Sequence, residues 1–248
     1  MKKMLAGRRA ALVLIVVGVT ALSVQAQPAA QAESRLDRGR YLMSSIVACG
    51  SCHTPQGPKG PLPGMELAGG LKFEEKPFTA YASNITPDKE TGIGKWTDAQ
   101  LVRAIREGKP VSNAVAKSEY RMPLPPVGRV ADISPKDKIA YGKYLAGPAG
   151  HCIKCHSSPG AKGGPDIENK LGAGGFPFTR PWGVSVSTNI TPTGLAKYSD
   201  AGLKKVITTG VRPDGSKLKP PMAVSYYANM KEAGLDALVA YLRTLPPK

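Results

Sequence analysis

The chain has 248 residues, with 34 Lys and Arg against 18 Asp and Glu, a formal charge of +16. Its 28 Gly and 23 Pro make it loop-rich, but below the roughly 25–30% that marks low-complexity disorder. The basic residues are scattered and no nucleic-acid-binding motif is present, which argues against nucleic acid and leaves an acidic protein partner or a merely solvated basic surface.

Lys2, Lys3, Arg8 and Arg9 precede an apolar stretch from Ala10 to Leu22, and Val24-Gln25-Ala26 fits a small-residue cleavage site. This predicts a secretory signal peptide over residues 1–26, whose removal takes away four Lys/Arg and leaves +12. The apolar run is shorter than the roughly 18 residues expected of a spanning helix, and no second run follows it. An exported, soluble mature chain is expected; an uncleaved N-terminal anchor is the alternative.

The remainder repeats itself. The first copy, predicted over 34–109, opens with Arg38-Gly39-Arg40-Tyr41-Leu42. It continues through Cys49-Gly50-Ser51-Cys52-His53, Leu67-Ala68-Gly69-Gly70 and Asn84-Ile85-Thr86-Pro87. Thr97-Asp98-Ala99-Gln100 then reads as a capping box for a helix with Leu101, Ala104 and Ile105 on one face, ended by Gly108. Residues 110–133 read as a Pro-rich linker without helical period.

The second copy, predicted over 134–248, starts at Ser134-Pro135, an N-cap followed by Pro at the first helical position. It matches the first in Tyr141-Gly142-Lys143-Tyr144-Leu145, Cys152-Ile153-Lys154-Cys155-His156, Leu171-Gly172-Ala173-Gly174-Gly175 and Asn189-Ile190-Thr191-Pro192. Ser199 caps a helix carrying Leu203, Val206 and Ile207, ended by Gly210. Only this copy goes on, through a loop, Met222, and a helix with Leu235, Leu238, Val239, Leu242 and Leu245 spaced for one buried face. The first copy is therefore expected to lack its methionine loop and C-terminal helix. A Gly inside a helix costs about 1 kcal/mol relative to Ala. Gly142 is expected to meet the terminal helix near Tyr241, whereas Gly39 has no such partner in its own copy, so the first copy is expected to be the less stable.

The repeated Cys-x-x-Cys-His suits covalent attachment of haem c. Cys49 and Cys52, and Cys152 and Cys155, would add to the two vinyl groups of a macrocycle, and His53 and His156 would ligate its iron. Zinc knuckles and thioredoxin-like redox pairs share the Cys-x-x-Cys half. The adjoining His in both copies, the use of all four cysteines, and the 103-residue separation favour two haems. Each haem also supplies the large apolar core element that a chain with 6% aromatics lacks. Such attachment occurs outside the bacterial cytoplasm, in keeping with a signal peptide and a periplasmic address.

The third histidine, His151, adjoins Cys152 and is too close to arch over a distal face, so a methionine is the natural sixth ligand. Met222, in a Pro-flanked loop, is the candidate for the second haem; the alternative is a Met filling a core gap. For the first, Met122 has the spacing but lies in the linker, so another group such as Lys, or an open position, stands beside it. Met43 and Met65 lie too near the first motif. Asn84, Thr86, Asn189 and Thr191 could hold propionates or serve as simple turn residues.

These motifs, with Thr91-Gly92-Ile93-Gly94-Lys95-Trp96 and Thr209-Gly210-Val211-Arg212-Pro213-Asp214-Gly215, resemble dihaem class I cytochromes c over about residues 36–248. They are similar to the multihaem cytochrome c subunits of periplasmic alcohol, aldehyde and gluconate dehydrogenases. The resemblance implies an all-α fold of two small class I cytochrome c domains. It implies thioether bonds at Cys49, Cys52, Cys152 and Cys155, His53 and His156 as proximal ligands, and Met222 as distal ligand. The implied role is electron transfer rather than catalysis. The donor would be a periplasmic or membrane dehydrogenase and the acceptor a respiratory oxidase, quinone or cytochrome; a partner could also hold the protein at the membrane. The competing readings are a haem enzyme, either a dihaem peroxidase or a thiosulfate-type oxidoreductase using an open first haem, and a sensing or remnant haem domain.

Overall fold

The computed structural model describes residues 33–57, 60–75, 78–108, 132–161, 164–180 and 183–248. The body treated below is the unit Ser34–Lys248. The expected signal peptide, Met122 and nearly all of the expected linker lie outside the described residues.

In the first repeat, α1 (Arg35–Ser44) starts at Ser34, whose hydroxyl accepts from the Asp37 amide at 3.1 Å. It leads to α2 (Cys49–His53), the first motif. Two antiparallel hairpins follow, β1–β2 (Gln56–Gly57 with Gly60–Pro61) and β3–β4 (Lys72–Glu75 with Phe78–Tyr81), and then α3 (Asp98–Glu107). The capping box forms as spaced: the Gln100 amide donates to Thr97 Oγ1 at 3.3 Å, and the Thr97 amide donates to Gln100 Oε1 at 2.8 Å.

The second repeat retraces this path. It runs through α4 (Lys138–Tyr144), a π-helical turn (Leu145–Ala149), α5 (Cys152–Cys155), the hairpin β5–β6 (Pro177–Arg180 with Gly183–Val186), α6 (Pro192–Leu195) and α7 (Asp200–Thr209). It ends with α8 (Val224–Tyr227) and α9 (Glu232–Arg243). Two details differ from expectation. Helix α4 is capped by Asp137, which accepts from the Ala140 amide at 3.0 Å, while Ser134 closes a preceding turn with the Asp137 amide at 3.1 Å. The three small hairpins add to the helices; their strands are too short to show alternation in the sequence. Among the described residues no helix is long and apolar enough to cross a membrane.

The core lies where α9 crosses α4. Leu235, Leu238, Val239 and Leu242 are buried as spaced, against Tyr141, Leu145, Ala146 and Leu203. Gly142 makes the crossing close: a Cβ there would collide with the Ala237 carbonyl oxygen and lie 2.7 Å from Tyr241 Cβ. The corresponding Gly39 meets nothing within 4 Å among the described residues. Arg243 fastens α9 to its neighbours through Asp200 at 3.0 Å and the Leu195 carbonyl at 3.1 Å. Lys204 on α7 bonds Asp236 at 2.8 Å and also reaches Glu232. Among the described residues, Ile46 from before the first motif is 2% exposed among side chains of the second repeat, with Leu42 and Val47 partly buried against the same cluster.

Overpacking a close backbone contact costs about 1–3 kcal/mol, so Gly142→Ala should lower the unfolding free energy, read from a denaturant titration, by that much. Gly39→Ala should be neutral or gain about 0.5–1 kcal/mol. Limited proteolysis should cut between residues 54 and 133 before it cuts within 139–245, because the buried apolar cluster lies almost wholly in the second repeat.

Candidate functional site

Each Cys-x-x-Cys-His sits on a one-turn helix reached through the same backbone path. Gly150 donates to the Leu145 carbonyl at 2.8 Å and Val47 to the Leu42 carbonyl at 3.0 Å, wide closures at equivalent positions. A residue with left-handed backbone follows in both, Ala48 at φ 49° and His151 at φ 55°. Such strain costs on the order of 1–3 kcal/mol and persists where the surroundings enforce it.

Both proximal-histidine candidates are then fixed in the same way. His53 Nδ1 lies 2.7 Å from the Ser83 carbonyl oxygen, and His156 Nδ1 lies 2.7 Å from that of Thr188. A carbonyl only accepts, so Nδ1 carries the proton and donates, leaving Nε2 as the ligating nitrogen. The loop that brings each carbonyl is locked to its motif by a glycine: Gly69 donates to the His53 carbonyl and Gly174 to that of His156, both at 2.7 Å. A Cβ at Gly174 would lie 2.5 Å from the Asn189 nitrogen, and its φ is 75°. No other residue fits this position without strain.

The Asn-Ile-Thr-Pro segments close side-chain turns, and Asn189 also lines the cavity of the second repeat. Asn189 Oδ1 accepts from the Thr191 amide at 2.8 Å and hydroxyl at 2.7 Å, and Asn84 does the same with Thr86 at 2.9 and 2.6 Å. Asn189 Nδ2 also donates to the Lys248 carbonyl at 2.8 Å, tying the turn to the chain end.

In the second repeat these elements surround a cavity of about 610 Å³, within the range of small-molecule and cofactor sites. Cys152, Cys155, His156 and Met222 all line it, with Leu195, Leu203, Val206 and Leu242 as apolar wall. Lys197, Arg212, Lys217 and Lys219 contribute positive charge. Burial pushes the Cys152 thiol up to about 12, with the neighbouring Cys155 adding to it. Burial also raises the thiols of Cys155 and Cys49. Reactive redox thiols have lowered pKa values, so these are poor ones. Burial lowers His156, against the hydrogen bond to Thr188, which keeps the imidazole neutral as a metal ligand must be. Among the described residues no three His, Cys, Asp or Glu converge as a zinc site would require.

The first site is less enclosed. Cys49, Cys52 and His53 share α2. Leu101, Ala104 and Ile105 on α3 correspond to Leu203, Val206 and Ile207, which line the cavity of the second repeat, yet no residue of α3 is buried and Ile105 is 81% exposed. Met122 lies outside the described residues, and Met43 and Met65 are exposed. The structure adds residues that the sequence reading lacked: the Ser83 and Thr188 carbonyls, each immediately before a repeated Asn-Ile-Thr-Pro. That repetition was the signal; a backbone acceptor leaves no side chain to notice.

Residues 139–246 match the cytochrome c family. Those residues carry a cytochrome c domain. Cytochrome c domains bind haem c covalently, and the second cavity is the one enclosed by that segment. The chain is 27% identical, over 86% of its length, to the cytochrome c subunit of a quinone alcohol dehydrogenase from Gluconacetobacter polyoxogenes. It is 41% identical, over 42% of its length, to the cytochrome c subunit of gluconate 2-dehydrogenase from Pantoea cypripedii, of which the match covers 22%. A dihaem c-type cytochrome from Cereibacter sphaeroides is 25% identical over 80% of this chain and 82% of its own. The chain spans little more than half, 56%, of the alcohol dehydrogenase subunit.

Thr191 is fully buried, and Asn189→Ala leaves its amide and hydroxyl without their acceptor. The cytochrome should lose about 1–3 kcal/mol of unfolding free energy while the potential of its haem stays unchanged; a shifted potential would instead place Asn189 against the haem.

Proposed function

We propose that this chain is a periplasmic dihaem c-type cytochrome that carries electrons from a dehydrogenase partner to the respiratory chain. The observation that carries the reading is the repeated geometry: in each copy a Cys-x-x-Cys-His helix presents an imidazole whose Nδ1 is already held by a loop carbonyl. Cys49 and Cys52 would tether the first haem and Cys152 and Cys155 the second, with His53 and His156 as proximal ligands. A haem supplies reversible one-electron chemistry at its iron. The residues around it hold the potential and exclude water.

The donors in the second cavity fit this group. Met222 shares the cavity with His156, and a His/Met pair raises the reduction potential. The apolar wall lowers the local dielectric, and Lys197, Arg212, Lys217 and Lys219 suit the two carboxylates of a haem edge. The first haem would take a more open place, its sixth position held by Met122 or another group such as Lys, or left open.

The relatives support the partner. Several are cytochrome c subunits of alcohol, fructose and gluconate dehydrogenases, so the donor is proposed to be an exported dehydrogenase and the acceptor a respiratory component such as an oxidase, a quinone or another cytochrome. The basic surface would steer an acidic partner. The proposed export signal is residues 1–26, and attachment to the membrane would come through the partner or an uncleaved anchor. A haem enzyme is the weaker reading: peroxide chemistry needs a distal acid–base group, and His151, the spare histidine, caps α5 and does not line the cavity.

Purified holoprotein should carry two haems per chain and accept electrons from a dehydrogenase encoded beside it or co-purifying with it; failure to accept them from any such partner overturns the carrier role. Reduced Met222→Ala should take up one more equivalent of carbon monoxide than wild type, and equal uptake would remove Met222 as a ligand. The same titration of Met122→Ala tests the first site.

A further inference from the structure

Two haems on one chain would conduct only if they are held at a fixed, short separation, and the structure brings the segments around the two motifs into contact. The segments just before the two motifs touch. The Ile46 side chain, three residues before Cys49, lies 2.7 Å from where a Cβ would sit on Gly150, two residues before Cys152. Ile46 also lines the cavity that holds Cys152, Cys155 and His156.

A second link comes from α8. Its last two residues face different motifs. The Tyr226 hydroxyl occupies the space beside Gly50, so closely that a Cβ there would overlap it. Tyr227 lines the second cavity with Cys152 and Cys155 and packs against the core. The chain then continues along α1: Asn229 Nδ2 donates to the Ser44 carbonyl at 3.0 Å, and the Lys231 amide donates to Tyr41 Oη at 3.0 Å.

Resting on the reading of a haem at each motif, we propose that α8 is the clamp that sets the inter-haem geometry. Tyr226 seated on Gly50 and Tyr227 lining the cavity with Cys152 and Cys155 would hold the two attachment helices together, and with them the haems between which electrons would cross. Tyr226 and Tyr227 are positioning residues. One electron leaves the reduced site at one motif and reduces the oxidised site at the other; no bond forms or breaks and no proton moves.

The test uses the full-length holoprotein. Rapid one-electron photoreduction, followed by absorbance, reads the rate at which the electron redistributes between haems; potentiometric titration and a haem count are run beside it. Gly50→Ala puts a methyl group where the Tyr226 hydroxyl sits and should slow redistribution severalfold, with two haems retained and both potentials unmoved. Adding Tyr226→Phe removes the clashing oxygen and should restore the rate. A wild-type rate in Gly50→Ala, or a slowed rate that the second substitution does not restore, overturns the clamp. If Gly50→Ala gives no holoprotein, Tyr226→Ala is read the same way: slower supports the clamp, unchanged overturns it. A count of one haem in wild type overturns the two-haem reading and the clamp with it, whereas two haems with a clamp-independent rate overturns the clamp alone.

Discussion

Each of the two motif imidazoles has one nitrogen already engaged, and the rest of the site follows from that bond. A backbone carbonyl can hold Nδ1 only if its loop comes within hydrogen-bonding reach, and both loops here come to 2.7 Å. That approach demands a glycine where the loop passes the motif, which is why Gly69 and Gly174 stand where they do. It also demands a loop that keeps its shape, which the Asn–Thr turns provide: Asn189 satisfies both polar groups of a Thr191 that no water reaches. The bond fixes ring rotation and tautomer before any iron is present, so the ligand is ordered in advance and little entropy is lost when the metal is bound.

The two repeats share this apparatus but not the packing behind it. In the second, α9 lies across α4 at Gly142, and its leucines close one wall of the cavity. In the first, α1 carries an equivalent Gly39 with nothing against it among the described residues, and the apolar face of α3 is left exposed at Ile105. The first repeat leans instead on the second, through Ile46, through Arg38 bonded to Tyr141 Oη at 2.6 Å, and through Tyr41 at the start of α9. An arrangement of this kind makes stability unequal along the chain, with local opening confined to the half that borrows its support.

Much of this was legible beforehand. The capping box at Thr97, the cap at Ser199, the apolar stripe of α9 and the close crossing at Gly142 are local or periodic, and periodic patterns survive without knowledge of the partner. The cap of α4 was misplaced by three residues because Ser134-Pro135 and Asp137 offer competing starts, and the choice depends on which side chain meets a free amide. The carbonyls of Ser83 and Thr188 were marked only indirectly, by the repeated Asn-Ile-Thr-Pro that follows each, and the left-handed backbone at Ala48 and His151 and the contact of Tyr226 with Gly50 left no trace. A backbone acceptor, a torsion angle and a long-range contact have no residue type of their own. The hairpins were missed because two to four paired residues, several of them Gly or Pro, carry no alternation.

Ile46 has a consequence for how such a chain can change over generations. Repeats that arise as copies begin as cassettes, each able to be exchanged or lost without the other noticing. Here a side chain from the lead-in to one copy is 2% exposed inside the other. Its socket is formed by residues around Gly150, which stand immediately before the second pair of cysteines. A first half moved onto an unrelated second half would carry an isoleucine with nowhere to go, and a second half left alone would keep a hole beside its own cofactor. The two copies are bound to drift together, each substitution near Gly150 constraining what can stand at position 46.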